Sequence, residues 1–405
     1  MSAVEIVDVD RADLAAFVAT AHRFWGEPEE LGMDLVKDVL SHALLARIDG
    51  GDVGAAAVID FHLTLPGGSA AAMDGVTWVA VSATARRRGA LRAMMNHCLA
   101  RARARGIPVL GLGASERSIY RRFGYGVASQ IGSVDIDTAN AALRVPFEDR
   151  GRLRFEPLDT AIPTLRDVES KQPDRVGGIR RSEKHWRRIA ARVARPAGQV
   201  GPMQVVVHED SSGRVDGFVM YRLELRWQDE LADGIVHVRE LTALNRDAHV
   251  ALWQHVLAMD LVEHLRMERF WADDPIQHLL ADPRRLRLRV RDDLHLRVVD
   301  VPAMLEARRY SREDTVVIEV RDERCPDVAG RYRLEGGLDA ATAAKTDAAP
   351  DLVLDAASLG SVLLGDTSVA ALGRAGLVEE MRPGAVRRAS AMFSWSPRPW
   401  LNHMF

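Results

Sequence analysis

The chain has 405 residues, 47% hydrophobic and 27% charged, with a formal net charge of −3. These are ordinary values for a globular chain, and the length predicts two to three domains rather than one core. The near-neutral charge excludes a general nucleic-acid or anionic-membrane binder, and no run of about 18 apolar residues marks a membrane span.

In chain order, Glu5 to Val9 reads as a strand and Arg11 to His22 as a helix with apolar residues at helical spacing. Leu44 to Ile48 and Ala55 to Leu63 read as strands separated by the turn Asp49-Gly50-Gly51-Asp52. Asp74 to Ser82 is a strand, Ala90 to Gly106 a helix, Pro108 to Gly113 a strand, and Ser118 to Phe123 opens a short helix. A proline- and charge-rich stretch near 146–160 is expected to link domains. A second α/β segment follows, with strands Gln204 to Val207 and Gly217 to Leu223 and a main helix Ala248 to Leu265. The last segment holds the strand Leu294 to Val298 and the helix Ala303 to Ala307. It continues with a hairpin at Thr315 to Val320 and the helices Ala356 to Leu364 and Val369 to Ala375. Residues 335–350, rich in Ala, Gly, Asp and Thr, read as a surface loop.

Only four of the 54 basic residues are lysines. With the abundant alanine, this reflects a GC-rich genome more than a function. Cys98 and Cys325 stand alone, without a metal-ligand spacing, so neither a disulfide framework nor a metal is expected. The N-terminus MSAVEIVDVDRADL is charged where a signal peptide needs an apolar run, so a cytoplasmic protein is expected.

Chemistry concentrates in Val79-Ala80-Val81-Ser82-Ala83-Thr84-Ala85-Arg86-Arg87-Arg88-Gly89-Ala90-Leu91-Arg92. A strand ends, a short basic loop follows, and Gly89 opens an amphipathic helix. The unpaired N–H groups and dipole of a helix N-terminus attract an anion. Arg86 and Arg87 offer forked donors to a pyrophosphate, and Gly89 allows it to approach the backbone. Alone, this pattern describes any helix start with solvated arginines. The second half, Ala114-Ser115-Glu116-Arg117-Ser118-Ile119-Tyr120-Arg121-Arg122-Phe123-Gly124-Tyr125, makes it specific. Tyr-x-x-Phe-Gly-Tyr after a strand–helix–strand unit resembles the signature of the GNAT acetyltransferases.

In that superfamily two parallel strands splay and an acyl-CoA inserts its pantetheine as though it were a strand. The resemblance implies pairing by residues 79–81, a backbone N–H of Val79 or Val81 for the developing oxyanion, and Tyr120 as the acid for the leaving thiolate. Alone, Tyr120 is a half-buried aromatic on a sheet. No dinucleotide fingerprint or P-loop competes, because Gly111-Leu-Gly113 lacks a third glycine. His97-Cys98, on the first long helix, is expected to pack or face solvent.

The whole chain resembles the Eis (enhanced intracellular survival) family of N-acetyltransferases. The likeness is strongest at VAVSATARRRGALRAMM and ASERSIYRRFGYG and recurs at Glu240-Leu-Thr-Ala243 and from Asp274 to Tyr310. It implies an α/β (α+β) protein of two GNAT-like mixed-sheet regions followed by a sterol-carrier-like α+β region. The expected boundaries are 1–150 for the acetyl-CoA-binding domain, 151–292 for a central GNAT-like domain, and 293–405 for the sterol-carrier-like domain. A homohexamer, a trimer of dimers, is also implied, with acetyl-CoA as co-substrate and no metal.

Carried over residue by residue, the resemblance assigns cofactor binding to Val79, Ala80, Val81, Arg86, Arg87, Arg88, Gly89, Ala90, Leu91, Arg92, Ser115 and Glu116. Tyr120 becomes the general acid, and the C-terminal carboxylate of Phe405 becomes the general base. A terminal carboxylate is a weak base near neutral pH, and an ordinary chain end is frayed. Family members that act on aminoglycosides use acidic pocket residues where this chain has Arg23 and Met404. Glu27, Glu29 and Glu30 lie nearby in sequence. The expected reaction is acetylation of primary amines, on aminoglycoside-like, polyamine or lysine acceptors. The alternative is a non-enzymatic acyl-CoA or lipid binder that uses the sterol-carrier-like region.

Overall fold

The computed structural model describes residues 3–10, 13–25, 40–172, 175–193 and 200–405. The first 130 residues supply β1 (Glu5–Asp8), α1 (Leu14–Trp25), β2 (His42–Ile48), β3 (Gly51–Thr64), β4 (Ala70–Val81), α2 (Ala90–Ala104), β5 (Val109–Gly113), the single turn α3 (Arg117–Tyr120) and β6 (Gly126–Val127). Next come β7 (Gln130–Asp137), β8 (Arg152–Glu156), α4 (Leu158–Ser170), α5 (Glu183–Val193), β9 (Gln204–Glu209), β10 (Val215–Glu224), β11 (Trp227–Gln228), β12 (Leu231–Ala232), β13 (Gly234–Ala243), α6 (Arg246–Leu257), β14 (Val262–Phe270), α7 (Ile276–Leu279) and β15 (Arg289–Asp292). The last part holds β16 (Leu294–Val298), α8 (Val301–Ala307), β17 (Asp314–Arg321), β18 (Gly330–Gly336), β19 (Ala341–Lys345), β20 (Leu352–Asp355), α9 (Ala356–Val362), α10 (Val369–Arg374), β21 (Val378–Glu380) and α11 (Ala385–Phe393).

These elements form two compact units: residues 1–130, 174–180 and 292–405 make one, and 131–173 with 181–291 the other. The main sheet of the first runs β1-β2-β3-β4-β5-β16-β6, and that of the second β15-β7-β14-β13-β10-β9-β8. The first sheet therefore takes β16 from beyond the second, whose own strands all lie between β7 and β15 in the chain, and no single cut separates the two. Among the described residues, no helix is long and apolar enough to cross a membrane.

Strand alternation gives the first sheet two apolar faces. Ile59, Phe61 and Leu63 of β3, Met73 of β4 and Val109 of β5 join one cluster. Their neighbours Val58, Val76, Leu110 and Leu112 join the other, under Met94, Met95 and Cys98 of α2. The C-terminal region lies on the first face through Leu296, Met304, Leu305 and Leu359. Phe17, Val18 and Ala21 of α1 cover Ala43, Leu45, Ala55 and Ala57, which have the same strand parity as Phe61.

The C-terminal sheet runs β19-β18-β17-β20-β21, and α9 approaches the end of the first sheet very closely. A Cβ at Gly126 would fall 1.7 Å from the Ala357 carbonyl, and one at Gly360 would fall 2.2 Å from that of Leu296. The Arg297 and Asp322 side chains, 1% and 4% exposed, form an ion pair of 2.5 Å there.

Four expectations differ from the structure. Thr315 to Val320 is not a hairpin but lies in the single strand β17, whose antiparallel partner is β18. The helix expected to reach Leu265 ends at Leu257; Leu261 takes a left-handed φ of 65°, and Val262 starts β14, parallel to β13. Residues 335–350 are not wholly loop, because Ala341–Lys345 pairs antiparallel with β18. The stretch near 146–160 holds β8, which closes the edge of the second sheet, and the start of α4.

Candidate active site

The site grows from a fork. Strands β4 and β5 pair in parallel only over Met73↔Val109, Asp74↔Leu110 and Gly75↔Gly111. Beyond Gly75, β4 continues to Val81 while β5 turns its other edge to β16, pairing Gly113 with Leu294. The edge of residues 79–81 facing β5 therefore lacks a strand neighbour.

A bulge re-aims β4 at that point. Ala57 opposes Thr77 and Ala55 opposes Ala80, so Trp78 and Val79 together face Ala56. Trp78 carries the left-handed backbone (φ 53°), an uncommon state for an aromatic residue and one that clusters at functional positions. The extra residue flips strand parity, so Val79 and Val81 pack on the same cluster as Val76. Trp78 stacks on Phe17 of α1, centroids 5.7 Å apart, with His22 5.7 Å away.

The loop that follows suits an anion. Arg87 and Gly89 both take left-handed φ, 62° and 94°, and Gly89 starts α2 without any side-chain cap. The first N–H groups of α2 are thus not met by a cap, and only glycine adopts φ 94° without strain. Arg86, Arg87, Arg88 and Arg92 are exposed around them, and Arg88 also pairs with Asp49 at 3.0 Å. In the second sheet the corresponding parallel pair, β13 and β14, leads to a different helix start. There Asn245 caps α6, its side chain accepting from the Ala248 N–H at 2.9 Å and donating to Asp216 at 2.6 Å. A satisfied N-cap leaves less for an anion to bind.

Tyr120 ends α3 and is 6% exposed, in the apolar cluster that also holds Val79, Val81 and Leu91. Tyr125 meets it edge-on at 6.2 Å. Burial, and then the charge of Glu116, push its phenol up to about 12, so it remains protonated at neutral pH. Ser115 and Glu116 are exposed one turn before it. Cys98 lies buried in the same cluster, and burial lifts its thiol to about 12 as well. That thiol is inert packing.

Phe405 belongs to the opposite face. Its ring meets Phe61 at 4.7 Å and 48°, and both rings fill the space above Gly75. A Cβ there would fall 2.6 Å from Phe61 and 2.8 Å from Phe405. The last residue thus sits where β4 and β5 part. The tail leading to it is not frayed. Asn402 accepts from the Ile179 N–H at 2.9 Å and donates to its carbonyl at 3.1 Å, and the Trp400 N–H donates to the Val176 carbonyl at 2.8 Å. Residues 177–179 are in turn bonded to β3 at Thr64 and Leu63.

Tyr120 and Phe405 therefore approach the fork from its two faces. Trp78, Gly75, Phe61 and Asn402 were not identified from sequence. A glycine inside a strand was the available signal for Gly75, since it marks a close approach. Arg23 is exposed and Met404 is 62% exposed, so neither is buried in a pocket. Glu27, Glu29 and Glu30 lie outside the described residues. Among the described residues one trio with metal-ligand chemistry occurs, Asp8, His42 and His97, with Asp8 Oδ1 3.2 and 3.0 Å from the two Nε2 atoms. It lies at the β1–β2 edge against α2, two strands away from the fork, and plays no part there.

Residues 5–128 and 177–298 each match an acetyltransferase (GNAT) domain family, and residues 301–402 match a sterol carrier protein domain. An uncharacterized N-acetyltransferase of Streptomyces avermitilis is 39% identical over 357 residues, 87% of each chain. The N-acetyltransferase Eis of Mycobacterium tuberculosis is 33% identical over 364 residues, 84% of this chain and 83% of its own. The crystal structure of Eis1 from Mycobacterium abscessus superposes with a TM-score of 0.85 at 32% identity, covering 99% of this chain and 100% of its own.

Proposed function

Because the chain belongs to the Eis family of GNAT N-acetyltransferases, we propose that it transfers an acetyl group from acetyl-CoA to primary amines by direct attack. The observation that carries this reading is the fork between β4 and β5, set beside an uncapped helix start ringed by arginines. Acetyl-CoA supplies the activated thioester. The free edge of Val79, Ala80 and Val81 receives the pantetheine amides, as an added strand does. Gly89, Ala90 and Leu91 turn their N–H groups to the pyrophosphate, with Arg86, Arg87, Arg88 and Arg92 as charged donors. Ser115 and Glu116 make a further contact. The second sheet, whose helix start carries its own Asn245 cap, binds no acetyl-CoA.

A backbone N–H of Val79 or Val81 stabilises the charge that develops on the thioester oxygen. Tyr120 donates its proton to the departing thiolate, and its retained proton supports that role. The terminal carboxylate of Phe405 takes the proton from the attacking amine; the seat of its ring at Gly75 supports this assignment. Acceptors are aminoglycoside-like amines, polyamines or lysine side chains. Arg23 and Met404, in place of acidic residues, favour acceptors of lower positive charge. We also propose a homohexamer, which sedimentation velocity tests.

Thiol release from acetyl-CoA with a panel of amines tests the reaction. Turnover that survives unchanged in both Tyr120→Phe and a C-terminally extended chain would overturn the mechanism.

A further inference from the structure

The turn that follows Tyr120 is gripped at each residue by groups from the C-terminal region or the strand next to it. The Arg121 guanidinium donates to Asp355 at 2.8 Å and to Ser358 at 3.4 Å. The Arg122 carbonyl accepts from Arg324 Nε at 2.5 Å. The Phe123 ring carries two guanidiniums, Arg122 at 5.1 Å and Arg324 at 4.9 Å from its centroid. At Gly124 a Cβ would fall 2.8 Å from Arg297 Nε, and Arg297 is fixed in turn by the buried Asp322.

We infer that Asp322, Arg324 and Asp355 are positioning residues for Tyr120, and that the sterol-carrier-like region holds the general acid in register with the fork. The inference rests on the reading of Tyr120 as the acid. None of the three residues belongs to the fork itself. Their common target is the four-residue turn whose first neighbour is Tyr120, and α3 is a single turn with no rigidity of its own. A one-turn helix gains its geometry from what packs on it. Several contacts converging on one short turn exceed what fastening two regions together requires. Gly126 and Gly360 already fasten them by close backbone approach.

The test uses the full-length protein with Arg324→Ala and Asp355→Asn, singly and together, each alone and combined with Tyr120→Phe. Arg121 and Asp355 are 41% and 48% exposed, so loss of their pair costs little stability, which thermal melts verify. Because a displacement of about 1 Å at a reacting group costs up to ~100-fold, the paired variant is expected to lower kcat about tenfold. KM for acetyl-CoA stays within about twofold, because the phosphate loop is untouched. In the Tyr120→Phe background the same substitutions produce no further loss, whereas a merely structural role lowers both backgrounds alike. Arg324→Lys and Asp355→Glu restore part of the rate.

Unchanged kcat in folded variants overturns the inference and leaves the acid assignment standing. Equal losses in both backgrounds do the same. Full turnover in Tyr120→Phe alone overturns the acid assignment and the inference with it.

Discussion

The ring of Phe405 lies 4.7 Å from that of Phe61, and the two share a space that exists because residue 75 has no side chain. The last residue of the chain is thereby tied to the point where β4 leaves β5. Enlarging residue 75 drives the two rings apart without touching the phosphate loop. Gly75→Ala is expected to destabilise the protein by about 1–3 kcal/mol through overpacking. It should also lower kcat more than tenfold if the proton acceptor moves with the ring, by ~1 Å or more. Chemical denaturation gives the first quantity and steady-state kinetics the second, with acetyl-CoA affinity near the parent value as the control.

Tyr120→Phe keeps the ring in its apolar cluster and removes only the hydroxyl. Stability should hardly change, while kcat falls about 10²–10⁴-fold, the usual worth of a positioned acid. The pH profile supplies an independent check. Burial and Glu116 raise the phenol to about 12, so its protonated form persists through the working range. The parent enzyme should therefore show no alkaline decline from this group until roughly pH 11. A decline centred near pH 9 would assign the acid elsewhere.

At the phosphate loop two effects separate. Gly89→Ala places a side chain at φ 94° and should cost about 1–2 kcal/mol, the penalty of left-handed backbone for an L residue. Arg87→Ala spares the backbone penalty and should raise KM for acetyl-CoA about tenfold, the size of one lost charge-assisted hydrogen bond. Its kcat should change little. The KM increase should shrink at high salt, where exposed charges are screened.

His208 offers a stability test in the second unit. Burial pulls its imidazole down, but hydrogen bonds to Asp216 (2.5 Å) and Asp149 (3.1 Å) outweigh that and raise it above the ordinary histidine value. A group whose folded value is raised gives stability that is complete below its unfolded value, near 6.5, and is lost as pH rises through the folded one. Denaturant midpoints of the parent should therefore fall as pH rises above about 6.5, relative to a His208→Gln variant. Equal pH profiles would show that the charged form of His208 does not favour the fold.

How much was legible depended on how local the cause was. The run from Val79 to Arg92 carries its geometry in itself. A strand, a basic loop, a glycine needing positive φ and an amphipathic helix are all specified within 14 residues, and the structure has each of them. The turn at Tyr120 was legible for the same reason. The extended part of the supposed helix beyond Leu257 was not, because Val262 to Phe270 is strand only by virtue of β13 and β7 on either side. Ala341–Lys345 likewise has loop-like composition and is extended because β18 pairs with it. The bulge at Trp78 and the seating of Phe405 are products of long-range packing. Nothing in the local residues marks them, apart from an interior glycine at 75.

The borrowed strand β16 sets an order of events during synthesis. When residues 1–150 have left the ribosome, β5 can form, but the edge it turns to β16 is bare until residue 298 has emerged. An uncovered edge next to the fork is a template for pairing with any other chain. At that stage β7 has been made for a sheet whose other strands do not yet exist. A truncated N-terminal fragment is thus a nascent intermediate rather than a miniature enzyme. A minimal acetyltransferase would need β16 and, with it, residues 176–179, which hold the tail that ends in Phe405.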